Sequence, residues 1–197
     1  MKKTIFLFAI ALIASAFVTK DHSVTFNIST ENSTVEWKGT KVTGEHTGTI
    51  NIKSGTFTVD HGTITGGKIE LDMTSITDTD MEGEGKEKLE GHLKSEDFFS
   101  VAKHPAATFV LKKAEQKEGK NYTVTGDLTI KDITHEIVFP AIIEMDETKF
   151  AAYAEFKIDR TKWDIKYGSG KFFEGLGDKM IYDDIELKFK IGATANQ

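Results

Sequence analysis

Three groups of residues have side chains that could do chemistry, and their spacing decides how far each can go. Asp78-Thr79-Asp80-Met81-Glu82-Gly83 sets carboxylates at the first, third and fifth positions of a loop and glycine at the sixth, as a calcium loop begins. The twelfth position is Leu89, where such a loop requires a bidentate glutamate, and Glu90 misses by one. A solvated acidic loop with weak calcium affinity at most is expected. His92, Ser95 and Asp97 bring a base, a hydroxyl and a carboxylate close together, but without the Gly-x-Ser-x-Gly elbow that exposes a nucleophile. Ser95, followed by Glu96 and Asp97, reads instead as the N-cap of a short helix. The histidines His22, His46, His61, His92, His104 and His135 include no close pair, so spacing predicts no metal site. Gly168-Ser169-Gly170 lacks the third glycine and the strand-helix-strand setting of a dinucleotide fingerprint. No cofactor is expected.

The elements that would position these residues are strands. From about Ser23 onward apolar and polar residues alternate, with many β-branched residues and glycine-punctuated turns. Ile50 and Ile52 share a face, as do Phe57 and Val59, Ile69, Leu71 and Met73, and Ile185, Leu187, Phe189 and Ile191. Sheets apolar on one side must close or pair to hide that side. An antiparallel meander closed into an up-and-down β-barrel is expected, with a two-sheet sandwich as the arrangement that shares the same alternation. The fold class is all-β. One stretch departs from it: residues 84–104 lack alternation and are rich in helix formers, with Leu89 and Leu93 four apart on one face. It reads as a short helical insertion that turns Phe98, Phe99 and Val101 onto the barrel.

Composition narrows the partners. None of the 197 residues is cysteine, which excludes disulfide frameworks, thiolate metal sites, cysteine nucleophiles and the acylated cysteine of a lipoprotein. A formal charge of −6 disfavours nucleic acid. Residues 1–16 show a cationic start at Lys2 and Lys3, an apolar run and the triplet Ala14-Ser15-Ala16, the pattern of a cleaved signal peptide. That apolar run is too short to span a bilayer, which takes about 20 residues. The expected product is periplasmic or secreted and not an integral membrane protein, with residues 17–32 as a lead-in and 33–193 as a single barrel domain. Fourteen Phe, two Trp and four Tyr add an aromatic complement. Most should be core, yet an apolar barrel with aromatic clusters near its mouth also meets the physical requirement for holding a long hydrocarbon.

The run His92-Leu93-Lys94-Ser95-Glu96-Asp97-Phe98-Phe99, continued through Pro105 to Phe109, closely resembles the signature of the YceI family. Ser33 to Gly39 resembles the family's first strand, Gly126-Asp127-Leu128-Thr129-Ile130 with Ile133-Thr134 resembles its hairpin, and Arg160 to Ile165 resembles its closing segment. The resemblance implies a lipocalin-type barrel that binds isoprenoids or other long-chain amphiphiles without covalent chemistry, for transport or storage. On that reading Trp37, Phe57, Leu71, Phe98, Phe109, Leu128, Phe139, Phe156 and Trp163 are the expected tail contacts. His92, Lys94 and Arg160 are expected at the head group, Arg160 because a guanidinium grips phosphate with two donors. A salt bridge from Arg160 to a carboxylate such as Asp97 is the other role open to it. The ligand is a small hydrophobic molecule, and a homodimer is left open. Two other readings remain: a hydrolase or isomerase using His92 and Asp97, and a stress or surface module whose barrel is filled by its own side chains.

Overall fold

In the segment Asn121–Ile130, Tyr122, Val124, Leu128 and Ile130 are buried while Thr123, Thr125, Asp127 and Thr129 are only half-buried. Repeated over the chain, that two-residue period builds one curved sheet. The computed structural model describes residues 23–196; the expected leader over 1–16 lies outside them. The strands are β1 (Ser23–Ile28), β2 (Thr34–Lys41), β3 (Gly44–Asp60), β4 (Thr63–Asp78), β5 (Ala106–Gln116), β6 (Asn121–Ile130), β7 (Ile133–Met145), β8 (Lys149–Asp159) and β9 (Ile181–Ala195).

From β2 to β9 each strand pairs antiparallel with the next. β9 then returns onto β2, with Val35 opposite Phe189 and Trp37 opposite Leu187. The meander is therefore a closed eight-stranded barrel with no sandwich edges. β1 is an extra strand. It pairs with β3 (Phe26 opposite Phe57) and with β9 (Phe26 opposite Ala195), filling the same seam that β2 fills at the other end. Residues 23–28, expected as lead-in, thus belong to the sheet, and Phe26 is almost wholly buried.

Turn chemistry fixes the hairpins. Lys131 and Asp132 both sit at positive φ (51° and 60°) in the two-residue connection from β6 to β7, the geometry that matches the strands' right-handed twist. Glycine is required at Gly126, where a Cβ would lie 2.4 Å from the Phe109 ring. That ring lies over the bare backbone and turns inward against Phe139, with centroids 5.6 Å apart.

The insertion contains one helix, α1 (Gly83–Lys94), followed by tight turns in place of a second helix. Ser95 is its C-cap: the hydroxyl donates to the His92 carbonyl at 2.7 Å, and the Ser95 carbonyl accepts from the amides of Phe98 and Ser100. The N-cap expectation fails because serine bonds a free carbonyl at a helix end as readily as a free amide at a helix start. Phe98, Phe99 and Val101 do pack onto the barrel. Glu90 ties α1 to the end of β4 by accepting from the Thr77 hydroxyl and, at 3.0 Å, from the Asp78 amide. These two bonds hold the Glu90 carboxyl below the usual glutamate range, the hydroxyl being the larger cause. Among the described residues no helix is long and apolar enough to cross a membrane.

Candidate functional site

The inward faces of the strands do not fill the barrel. Two adjoining lobes remain, of about 70 Å³ and 80 Å³. Leu128, Leu187 and Phe189 line both, so the two lobes adjoin at these side chains. The barrel interior is not completely filled by its own side chains.

The first lobe is lined only by apolar side chains from strands. Its walls carry aromatic pairs: Phe57 on Phe150 at 4.5 Å between centroids, Phe139 on Phe156 at 4.1 Å, and Phe156 on Phe189 at 5.9 Å, all nearly parallel. Small residues, among them Ala141, Ala152 and Ala154, leave the space between these rings. The second lobe adds residues from the insertion, Leu93, Phe98 and Phe99, to strand residues such as Leu71, Met73 and Ile158. Trp37, Gly39, Leu93, Phe98 and Ile181 also line an open groove, which adds Lys41, His46, His92, Tyr167 and Lys179. The first lobe is all apolar, the second is apolar but for Arg160 and Tyr182, and the groove adds several polar side chains.

Most expected tail contacts lie on these walls. Phe57, Phe109, Phe139 and Phe156 line the first lobe, Leu128 both, and Leu71 the second, while Trp37 and Phe98 stand where the second lobe meets the groove. Trp37 keeps its indole N–H buried and without a hydrogen-bond partner among the described residues. Trp163 does not line the cavity. It is buried in a 3-10 turn, Arg160–Trp163, its indole donating to the Leu128 carbonyl at 3.2 Å and its ring edge-on to His135. It is a wedge behind the wall, because an indole needs a partner for its N–H and found a backbone one.

The polar residues sort differently from expectation. His92 lines the groove, packed edge-on against Tyr167 (4.4 Å) and Phe98 (5.6 Å). Lys94 is half-buried but lines neither lobe nor groove. Arg160 borders the second lobe, 1% exposed, with three of its five donors bonded to backbone carbonyls. Nη1 donates to the Ile165 carbonyl at 2.7 Å, Nε to Tyr182 and Nη2 to Ile181, both at 3.2 Å, and Asp183 lies 3.6 Å away. Burial pulls its guanidinium below the usual arginine value and Asp183 opposes that pull. Its salt-bridge partner is Asp183, not Asp97, and its work is to clamp the 160–165 turn to the start of β9. Asp97 is exposed, while the His92 ring packs against Tyr167 and Phe98, and among the described residues no hydrogen bond or ion pair joins His92 to Asp97. Phe150, Phe189, Lys41, Tyr167 and Lys179 complete the walls; inward parity marks the first two, whereas the others lie in loops or at a strand end, where parity carries no signal.

Comparison with known proteins agrees with this architecture. A YceI-like domain matches residues 26–193. A UPF0312 protein of Pectobacterium carotovorum is 30% identical over 145 residues, 72% of each chain. Protein YceI of Escherichia coli is 33% identical over 94 residues, 48% of this chain and 47% of that one. Among solved structures, BcnA of Burkholderia cenocepacia superposes with a TM-score of 0.67 at 19% identity, covering 84% of this chain and 98% of that one. A polyisoprenoid binding domain from Saccharophagus degradans does so with a TM-score of 0.63 at 12% identity, covering 90% and 100%.

Proposed function

The chain belongs to the YceI-like family, and on that premise we propose that it binds a polyisoprenoid or similar long-chain amphiphile non-enzymatically, as carrier or store, in the periplasm or outside the cell. The observation that carries this reading is the first lobe, where no polar side chain faces the cavity. A hydrocarbon gains about 0.8 kcal/mol for each CH2 it buries, so such a lobe needs no directional contacts to hold a tail. The wider outer lobe takes the rest of the chain, and the head group rests in the groove near His92, Tyr167, Lys41 and Lys179. The unpartnered Trp37 indole N–H stands at the neck, where an oxygen of the head group would satisfy it. The polyisoprenoid named for the Saccharophagus degradans domain supports the ligand class.

The direct test is to purify the mature protein, extract it with organic solvent and identify the extract by mass spectrometry, then offer the emptied protein polyprenyl and quinone ligands. A long-chain isoprenoid in the extract, or saturable uptake afterwards, is the expected result. No bound lipid together with no uptake overturns the reading.

A further inference from the structure

At the rim, outside the two lobes, β3 brings His46 beside Asp78 at the end of β4 and Asp80 just after it. His46 Nδ1 lies 3.0 Å from Asp80 Oδ2 and 4.0 Å from Asp78 Oδ2, and the three donor atoms all fall within 4.8 Å of one another. The other oxygen of each carboxylate is already occupied. The Met81 amide donates to Asp78 Oδ1 at 2.7 Å and the Thr47 amide to Asp80 Oδ1 at 2.6 Å, leaving both Oδ2 atoms on the side of the imidazole. Gly48 makes this approach achievable, since a Cβ there would lie 1.9 Å from the Thr77 carbonyl, and Gly48 pairs directly with Asp78.

One atom is left unexplained. Asp78 is 0% exposed, yet its Oδ2 has no hydrogen-bond partner among the described residues. The nearest cationic candidate, His46, already spends Nδ1 on Asp80. A buried carboxylate oxygen without a donor is costly, and a metal ion is one of the few groups that removes the cost. We infer that His46, Asp78 and Asp80 form a site for a divalent transition-metal ion of the Zn²⁺ class.

The donor set favours that class. One imidazole nitrogen with two carboxylate oxygens suits zinc and its neighbours, whereas calcium and magnesium prefer oxygen alone. Tetrahedral zinc with bonds of about 2.0–2.1 Å sets its ligand atoms about 3.3 Å apart, between the two separations from His46 Nδ1. The backbone amides of Thr47 and Met81 fix the carboxylates as outer-shell partners do. Three protein donors leave a position for water or another oxygen ligand. His46 is also a wall of the groove, so the ion would sit at its edge. The calcium-loop spacing in the sequence pointed at Asp78 and Asp80 but to a different ion, because the histidine enters from another strand.

The full mature protein, prepared without a histidine tag and stripped with chelator, would be titrated with ZnCl2 by calorimetry and with CoCl2 by visible spectroscopy. One Zn²⁺ per chain, cobalt d–d bands and a melting temperature that rises with zinc are expected. His46→Ala and Asp80→Asn, both at partly exposed positions, should each weaken zinc binding at least tenfold, and Asp78→Asn, which keeps the oxygen that accepts from Met81, should do the same. No saturable zinc binding would overturn the site and favour a proton shared between the two carboxylates. Zinc binding unchanged in His46→Ala, or calcium bound as tightly as zinc, would overturn it in favour of other histidines or of the acidic loop alone.

Discussion

The two ends of the tube are built by different means. The all-apolar lobe is made of strand residues in strict alternation, and its contacts are stacked rings such as Phe139 and Phe156 with no directional polar bonds. The rim is made of α1, the 95–104 turns and the segment after β8, and it rests on a few charged side chains: Arg160 on three carbonyls and Glu90 on Thr77 and Asp78. The first kind of construction spreads its energy over many small dispersion contacts and tolerates exchange of one apolar residue for another. The second concentrates it in bonds that have no substitute. Under the proposed function, this division would let the lobe accept tails of varied shape while the rim stays fixed in geometry.

The sharpest test of that contrast is Arg160→Met. It leaves three carbonyls and Asp183 without their donor, and a loss of about 3–5 kcal/mol in urea unfolding is expected. Arg160→Lys should recover little, since an ammonium cannot reproduce the three-way geometry. Phe139→Ala in the lobe should cost less, about 3 kcal/mol, as a cavity and not as a broken network. Ala152→Phe separates the lobe's two roles: it fills space between rings, so uptake of a polyprenyl ligand should fall at least tenfold while stability shifts by about 1 kcal/mol. If stability collapses instead, the lobe is packed more tightly than its volume implies. Glu90→Gln should cost about 0.5–1.5 kcal/mol and loosen α1 alone. The same tether has a pH signature. Because the folded state depresses the Glu90 pKa, its stabilisation is complete above the ordinary glutamate value of about 4.3 and is lost as pH falls through the lower folded-state value. NMR signals of α1 should therefore broaden in acid before those of the barrel, and Glu90→Gln should remove that dependence. Tyr167→Ala, at an exposed rim position, should leave stability within about 0.5 kcal/mol and speed ligand release.

The same division explains what the sequence made legible. Parity along a strand is local, so Phe57, Phe109, Phe139 and Phe156 could be assigned to the interior from their neighbours alone, and they line the lobe. The rim depends on partners distant in the chain. Arg160 reads equally well as a phosphate grip until the carbonyls of Ile181 and Tyr182 are seen around it. Trp163 shows the aromatic type of a tail contact, but its indole is committed to Leu128. Ser95 sits beside acids that suit a helix start, and the helix it serves lies behind it. Alternation begins at Ser23, yet β1 reads as a lead-in because its place in the sheet depends on two strands, one of them at the far end of the described residues.

That last pairing governs the order of folding. β2 meets β9 with Val35 opposite Phe189, and β1 meets the final turn of the same strand, so the earliest strands synthesised share their edges with the last. Neither seam can form until nearly the whole domain is available, and the loop entropy is lost before the contact is gained. Closure is thus the slow, cooperative step, on a timescale of about milliseconds to seconds for such non-local β topologies. An unclosed sheet would present two unpaired edges and an uncovered greasy face, so aggregation would compete with folding before closure.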